Sequence, residues 1–229
     1  MRMVESQQQV ATLSLVDDLG EQRLLEEMLE STKPAPRRGS DRLHYLLAAP
    51  FRYPPLRHGS RFGSRFEPAL FYGAHRLTTA LAEVAYYRLA FFTAMTEPPP
   101  SGRLRTQHSL FSARWHTTHG VRLQTPPCDA HGHLLRHPAD YGATQRLGRA
   151  MRDAGIGAFE YPSARDLAAG INIGLFDPDS LLSREPIKPR SWLCETRADG
   201  VDFAAAANRE LQHFPLRNFL LDGRLPRPV

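Results

Sequence analysis

Lysine and cysteine are scarce in this sequence. Only Lys33 and Lys188 are lysines, so arginine supplies nearly all of the 29 basic side chains. The two cysteines, Cys128 and Cys194, lie far apart in the sequence and form no CxxC pair, which argues against a disulfide framework. We expect both cysteines to be reduced thiols.

Long hydrophobic runs are also missing. No segment approaches the roughly 18 uncharged apolar residues that a membrane helix requires. The first residues of the chain lack the apolar core and the cleavage site of a signal peptide. We therefore expect a cytoplasmic protein that does not contact a membrane. No GxGxxG or P-loop motif occurs, so the usual sequence signatures of nucleotide binding are absent as well.

The net charge of +5 is unevenly distributed. Residues 1–30 hold seven acidic side chains against two arginines, whereas residues 33–76 hold nine basic side chains against Asp41 and Glu67. Arginine suits phosphate groups, either in a nucleic acid or in a dinucleotide. A genome rich in G and C would give the same excess of arginine, so the charge alone does not choose between these meanings.

Composition divides the chain into two parts. Residues 19–30 carry a narrow apolar stripe among carboxylates, which predicts an amphipathic helix, and residues 32–40 have the composition of a linker. We assign residues 1–40 to an acidic helical arm with its linker, and residues 41–229 to one domain. The arm could pack on that domain, pair with a second copy or cover the basic stretch.

Apolar runs and turn signals predict the elements of the domain. The predicted strands are 46–53, 69–73, 104–115, 121–125, 156–161, 171–176, 192–196 and 214–221, with a hairpin joining the third and fourth. The predicted helices are 77–92, 138–154 and 204–212. Because strands outnumber helices and do not alternate with them, we predict an α+β fold with a mostly antiparallel, split sheet.

Residues 51–87 concentrate arginines, paired aromatic residues and one carboxylate. Arg52 and Tyr53 close the first predicted strand, and Arg61 follows in a turn punctuated by glycines. Tyr72 lies eleven residues after Arg61, and Glu83 lies eleven residues after Tyr72, on the predicted helix. The spacing places these side chains at two strand ends and on a helix packed behind them.

Ser163 and Asn172 continue this pattern further along the chain. A Pro-Ser step precedes a predicted strand that contains Asn172 and runs into Asp-Pro. In this order the residues resemble the RES-domain family, which is named for its Arg, Glu and Ser, over roughly residues 42–180. The resemblance implies an ADP-ribosyltransferase-like fold, with helices flanking the sheet. It also implies a bacterial toxin that destroys NAD by hydrolysis or phosphorolysis of the nicotinamide–ribose bond.

The resemblance assigns roles that suit this chemistry. Cleavage develops positive charge on the ribose, which the carboxylate of Glu83 would stabilise. Arg52 and Arg61 would bind the pyrophosphate as bidentate forks, with Arg52 also counted as catalytic. Tyr53 and Tyr72 would bracket the nicotinamide ring and its ribose.

Two further residues complete the expected site. Ser163, also counted as catalytic, would donate to a phosphate, to a ribose hydroxyl or to Glu83, and Asn172 would bind substrate. Ser163 is not an expected nucleophile, because no GxSxG motif surrounds it. Residues 59–63 read GSRFG where many family members have a Gly-Gly-Arg-Trp-Asn-like turn, so Arg65 is a second candidate for the role of Arg61.

The resemblance also implies partners. No cofactor is expected, since NAD is the substrate and inorganic phosphate a possible co-substrate. An Xre-type antitoxin would block the cleft, a homodimer is possible, and nucleic acid would be reached only through the antitoxin. Two other functions stay open: a protein ADP-ribosyltransferase, and a basic nucleic-acid-binding module without catalysis.

A second group of residues has the chemistry of metal ligands. Cys128, His131, His133 and His137 fall within ten residues. Their spacing matches no standard structural zinc site, so we expect a polar, histidine-rich loop and no metal.

Overall fold

The computed structural model describes residues 1–6, 18–207 and 210–228. Within these ranges, no helix combines the length and the apolar character that crossing a bilayer demands. The strands form two sheets, one of five strands and one of four.

The larger sheet has the strand order β1-β3-β7-β8-β9, and all of its neighbouring pairs are antiparallel. Its strands are β1 (Arg2–Glu5), β3 (Leu104–Ser112), β7 (Ile187–Arg197), β8 (Gly200–Ala205) and β9 (Leu211–Pro215). Alternation along β7 buries Trp192 and Cys194 and exposes Leu193, as expected of a sheet with one face in the core.

The smaller sheet has the order β2-β6-β5-β4. Its strands are β2 (Phe71–Ala74), β4 (Gly120–Arg122), β5 (Ala158–Pro162) and β6 (Ile171–Leu175). The β4–β5 pair is parallel and the other two pairs are antiparallel. The prediction of an α+β fold with a mostly antiparallel, split sheet is therefore confirmed.

Helices flank and connect the sheets. They are α1 (Leu19–Thr32), α2 (Tyr45–Arg52), α3 (Leu77–Phe92), α4 (Gly132–Leu135) and α5 (Gly142–Asp153), with 3₁₀ turns at Cys128–His131, Pro178–Ser180 and Leu216–Phe219. Helix α3 packs against strands of both sheets. Its residues Leu81, Ala85 and Leu89 are fully buried at helical spacing, in a cluster with Trp192 and Phe203. The predicted helix over 77–92 is confirmed.

The prediction of a strand over 46–53 is wrong, because this stretch forms α2. His44 caps the helix by accepting a hydrogen bond from the Leu46 amide at Nδ1, 3.2 Å away. Leu47 and Phe51, four residues apart, face inward and are buried. An apolar run of only eight residues fits a buried strand as well as a buried helix, so periodicity could not separate the two.

The prediction of a hairpin between 104–115 and 121–125 is also wrong. Strand β3 lies between β1 and β7 in the larger sheet, whereas β4 pairs with β5 in the smaller sheet. The chain therefore passes from one sheet to the other in the segment read as a hairpin turn.

The predictions for the C-terminal elements are also wrong. The expected helix over 204–212 is wrong at both ends, since β8 ends at Ala205, β9 begins at Leu211, and the two strands pair antiparallel. Residues 208 and 209 lie outside the described residues. The last strand ends at Pro215, before the 3₁₀ turn Leu216–Phe219, and not at the predicted residue 221.

The described part of the first 40 residues contains strand β1 and helix α1. Strand β1 is an edge strand of the larger sheet, and the carbonyl of Met1 accepts a hydrogen bond of 2.8 Å from the Ala74 amide on β2. Helix α1 is exposed along its apolar stripe, where Leu24 and Met28 are 57% and 60% exposed. Residues 7–17 of the arm lie outside the described residues.

Candidate active site

Helix α3 carries Glu83 to the junction of the two sheets. The neighbouring Leu81 and Ala85 are fully buried on the core side of the helix, and Glu83 itself is partly buried. Its carboxylate reaches Ser163, the residue that follows β5, and Asn172 on β6. Three separate elements therefore meet at one carboxylate.

The hydroxyl of Ser163 has a fixed orientation. Its oxygen accepts hydrogen bonds from the backbone amides of Arg165 and Asp166, both at 3.0 Å. The proton of the hydroxyl is directed to Oε1 of Glu83, 2.6 Å away. Because Ser163 is fully buried and accepts from two amides, it acts as a fixed donor to Glu83.

Asn172 completes the environment of the carboxylate. Its Nδ2 donates to the same Oε1 atom of Glu83, also at 2.6 Å. Oε1 thus accepts from two side chains, whereas Oε2 accepts no hydrogen bond from any described residue. Since Glu83 lines a cavity, the second oxygen is left for a ligand.

That cavity has a volume of about 360 Å³ and a wall rich in aromatic residues. The phenol-bearing residues around Glu83 are Tyr72, Tyr87, Tyr141 and Tyr161. Four aromatic side chains beside one carboxylate suit a flat, positively charged ring, because a cation is attracted both to aromatic rings and to the acid. This size falls within the range of small-molecule sites.

Arg61 supplies positive charge to the cavity wall. It is 8% exposed, and its Nη1 donates to the carbonyls of Leu135, at 3.2 Å, and His137, at 2.8 Å. Its guanidinium carbon lies 4.5 Å from the ring centre of Tyr141. No described carboxylate forms an ion pair with Arg61, so its charge is held in place without being neutralised.

Two of the cavity tyrosines, Tyr72 and Tyr161, are neutral. Burial raises the pKa of Tyr72 to about 12, against the opposing effect of its hydrogen bonds with Ser60 and the Phe62 amide. Burial, and then the nearby Glu83 carboxylate, raise the pKa of Tyr161 well above its usual value. Both phenols therefore stay protonated across the physiological range, and they offer aromatic faces and neutral hydroxyls.

Glu83, Ser163 and Asn172 lie within a recognised protein domain. The model of the RES domain matches residues 35–203, which is most of the chain. The chain belongs to the RES-domain family. A search of curated proteins finds no match. The RES domain includes every strand from β2 to β7 and most of β8, and it contains all of the residues that the sequence singled out.

The RES domain brings Glu83, Ser163 and Asn172 into contact and places Arg61 and Tyr72 in the wall of the same cavity. Their roles in binding and catalysis stay predictions.

Arg52 and Tyr53 lie outside the cavity, contrary to expectation. Arg52 forms an ion pair with Glu30 on α1, at 2.6 Å, and its Nε donates to the Pro34 carbonyl at 2.5 Å. The side chain of Tyr53 is 45% exposed. Both predictions assumed a strand at 46–53. Because this stretch forms helix α2 instead, the two side chains point in other directions than the prediction required. Arg65 stacks on Phe66, which is 85% exposed, and does not line the cavity either.

Sequence reasoning missed three tyrosines that line the cavity, and it missed Arg165, which holds one of them in place. Tyr87 follows Glu83 by one helical turn and Tyr161 precedes Ser163 by two residues, so both lie beside residues already singled out. Tyr141 is held by a hydrogen bond of 3.2 Å from Nη2 of the buried Arg165. Nothing in the sequence near Tyr141 points to the cavity.

The segment rich in cysteine and histidine forms the 3₁₀ turn Cys128–His131 and helix α4, so the expectation of a loop over its whole length is wrong. Nδ1 of His137 accepts hydrogen bonds from the amides of Ala139 and Asp140, at 3.3 and 2.7 Å. Across the part of the chain that the structure describes, no three His, Cys, Asp or Glu side chains are grouped as metal ligands.

Proposed function

We propose that this RES-domain chain degrades NAD by cleaving the bond between nicotinamide and ribose. The observation that carries the proposal is the carboxylate of Glu83, which is fixed through Oε1 by Ser163 and Asn172 and has Oε2 free beside an aromatic cavity. Family membership supports the same reaction.

The chemistry requires little from the protein beyond placement and charge. As the bond breaks, its electron pair moves to the ring nitrogen, nicotinamide leaves as a neutral molecule, and the ribose becomes positively charged. A fixed carboxylate stabilises such an oxocarbenium-like transition state most when its own hydrogen bonds hold it in position. Ser163 and Asn172 provide that support for Glu83.

The acceptor of the ADP-ribosyl group determines the second product. Attack of water on the anomeric carbon, with loss of a proton, gives ADP-ribose. Attack of inorganic phosphate instead gives ADP-ribose phosphate. The neutral Tyr72 and Tyr161 would pack on the pyridinium ring before cleavage, while Arg61 offers an unpaired cation to the phosphates.

Nicotinamide release tests the proposal. Purified protein is incubated with NAD, with and without inorganic phosphate, and the products are separated by chromatography. We expect nicotinamide in equal amount to ADP-ribose or to its phosphorylated form. Intact NAD in both conditions would contradict the proposal. Labelled NAD that marks a protein instead of giving a free product would favour ADP-ribose transfer over degradation.

A NAD-degrading enzyme would be toxic in the cytoplasm unless it is controlled. We therefore propose that the chain acts as a toxin with a cognate Xre-type antitoxin, which the family resemblance implies. Expression of this chain alone is expected to lower cellular NAD and stop growth. Normal growth and normal NAD at high expression would contradict this part of the proposal.

A further inference from the structure

Strand β1 brings an arginine to the cavity from outside the family match. Residues 35–203 match the RES domain, whereas β1 spans Arg2–Glu5. Even so, Met1, Arg2 and Met3 line the same cavity as Glu83. The wall of this site therefore includes a segment outside the residues that match the family model.

Glycine allows the close approach of β1 to the smaller sheet. A Cβ atom at Gly73 would lie only 3.1 Å from the Met1 carbonyl oxygen, which is tighter than normal packing. The Met1 carbonyl also accepts the hydrogen bond from Ala74. These contacts hold Arg2 against β2 at a fixed place beside the cavity.

The guanidinium of Arg2 is anchored but not neutralised. Nη1 donates to the carbonyl of Tyr72 at 2.5 Å, and the guanidinium carbon lies 5.0 Å from the ring centre of Phe71. Its Nε is buried without a hydrogen-bond partner. Within the described ranges, no acidic side chain pairs with Arg2. Burial lowers the pKa of Arg2 to about 10, so the side chain remains a cation at neutral pH.

Arg2 and the segment that carries Arg61 thus contact opposite ends of one tyrosine. The backbone carbonyl of Tyr72 holds Arg2, while the phenol of Tyr72 bonds Ser60, the residue before Arg61. Both arginines line the cavity. A desolvated cation without a counter-ion is unfavourable, and an anionic ligand would remove that cost.

We propose that Arg2 is an anion-binding residue of this cavity and that its ligand is a phosphate group. The identity of that ligand rests on the proposed function, which offers two sources: the diphosphate of the dinucleotide and the attacking inorganic phosphate. In either case Arg2 acts with Arg61 to place the reactants around Glu83.

Kinetics with substrates that differ in phosphate content test the assignment. Arg2→Gln is compared with the wild type on NAD, on nicotinamide riboside, which has no phosphate, and over a titration of inorganic phosphate. Arg105→Gln is the matched control, because Arg105 lies on the larger sheet with its side chain 74% exposed. Arg2→Lys tests whether a cation alone restores function.

If Arg2 binds the diphosphate, the Arg2→Gln variant raises KM for NAD about 10- to 100-fold and leaves kcat/KM for nicotinamide riboside unchanged. If Arg2 binds the acceptor, KM for inorganic phosphate rises by the same factor and KM for NAD does not. Arg2→Lys recovers part of the loss in both cases. Equal losses on NAD and nicotinamide riboside, or no change in either KM, would overturn the assignment.

A binding measurement separates this proposal from the proposed function. ADP-ribose and pyrophosphate are expected to raise the Tm of the wild type but not of Arg2→Gln. This readout does not require turnover. A protein that shows Arg2-dependent binding without cleaving NAD would contradict the proposed function alone. A protein that cleaves NAD and binds both ligands independently of Arg2 would contradict only the role of Arg2.

Folding of the variant is controlled by a second substitution. Arg2→Met keeps an unbranched stem against Phe71 and removes the charge. If Arg2→Gln loses its cooperative unfolding transition, the kinetics and the Tm measurements are repeated with Arg2→Met. A methionine variant that folds and binds ADP-ribose like the wild type would overturn the proposal.

Discussion

Ser163 and Glu83 lie 80 positions apart in the sequence and share a hydrogen bond of 2.6 Å, in which the serine hydroxyl donates to Oε1. The serine oxygen in turn accepts from the amides of Arg165 and Asp166. One hydroxyl therefore fixes both the carboxylate and the loop after β5.

Ser163→Ala should impair activity and stability together. The substitution removes a donor from Glu83 and leaves two backbone amides without their acceptor. We expect the free energy of unfolding to fall by about 1–3 kcal/mol, and kcat to fall about 10- to 100-fold. Urea denaturation and nicotinamide release measure the two effects. Ser101→Ala, in an exposed turn, is the control and should change neither. A Ser163→Ala enzyme with unchanged kcat would show that this hydrogen bond does not support the carboxylate.

Arg52 and Arg61 should respond differently to the same substitution. Arg61→Gln removes a cation from the cavity wall, so KM for NAD is expected to rise at least about tenfold. Arg52→Gln breaks a pair with Glu30, most of whose surroundings are solvent, and should leave both kinetic parameters within about twofold. Steady-state measurements of kcat and KM for NAD compare the two variants. A larger effect of Arg52→Gln on KM or kcat would indicate that Arg52 does take part in substrate binding or catalysis.

Gly148 is a point at which packing outweighs helix propensity. A Cβ atom at this position of α5 would lie 2.1 Å from the carbonyl oxygen of Phe62, next to Arg61. Gly148→Ala should therefore lower Tm and raise KM for NAD, although alanine favours helix by about 1 kcal/mol. Gly132→Ala is the matched control, because nothing lies within 4 Å of that Cβ. Thermal unfolding of both variants tests the packing, and an equal or higher Tm for Gly148→Ala would contradict it.

The sequence predicted the elements that carry their own periodicity. Helix α3 has apolar residues at helical spacing over four turns, so the element could be found from its own residues. Glu83 stands out among its apolar neighbours, but its catalytic role was assigned through the family pattern. Ser163 and Asn172 were found through the family pattern and not through any local signal. The contact of both with Glu83 depends on the pairing of β5 with β6, which no single segment encodes.

Other parts of the site depend on contacts between distant segments. The eight residues of α2 are apolar on too many sides to show a helical or a strand period. The stretch was therefore predicted as a strand, and the positions of Arg52 and Tyr53 were predicted wrongly. The crossing from β3 to β4 was read as a hairpin because short strands near each other in sequence usually pair. Arg2 precedes the recognised pattern, and the pairing of β1 with β3, together with the contacts of Met1 with β2, brings it to the cavity.

His108 should make the fold sensitive to mild acid. Burial, and then the charge of Arg88, lower the pKa of His108 to about 4. Unfolded histidine titrates near 6.5, so between pH 6.5 and 4 the unfolded chain binds more protons than the folded chain. Stability contributed by neutral His108 is present above pH 6.5 and is lost as the pH falls towards 4, by up to about 3 kcal/mol.

His108→Gln provides the comparison for this pH dependence. Glutamine does not titrate and can still bond Thr106, which lies 2.9 Å from Nε2 of the histidine. Urea denaturation from pH 7.5 to 4.5 should show a shallower loss of stability in the variant than in the wild type. Parallel curves would mean that His108 is not held neutral by the fold.

The most direct test of the account is the rate of nicotinamide release by Glu83→Gln, measured together with its affinity for NAD. Glutamine keeps the size of the side chain but removes the charge from the atom left free beside the cavity. Glu97→Gln, at an exposed glutamate, serves as the control. We expect kcat to fall at least about 100-fold while NAD affinity changes little. A Glu83→Gln enzyme that releases nicotinamide as fast as the wild type would contradict the central role of this carboxylate.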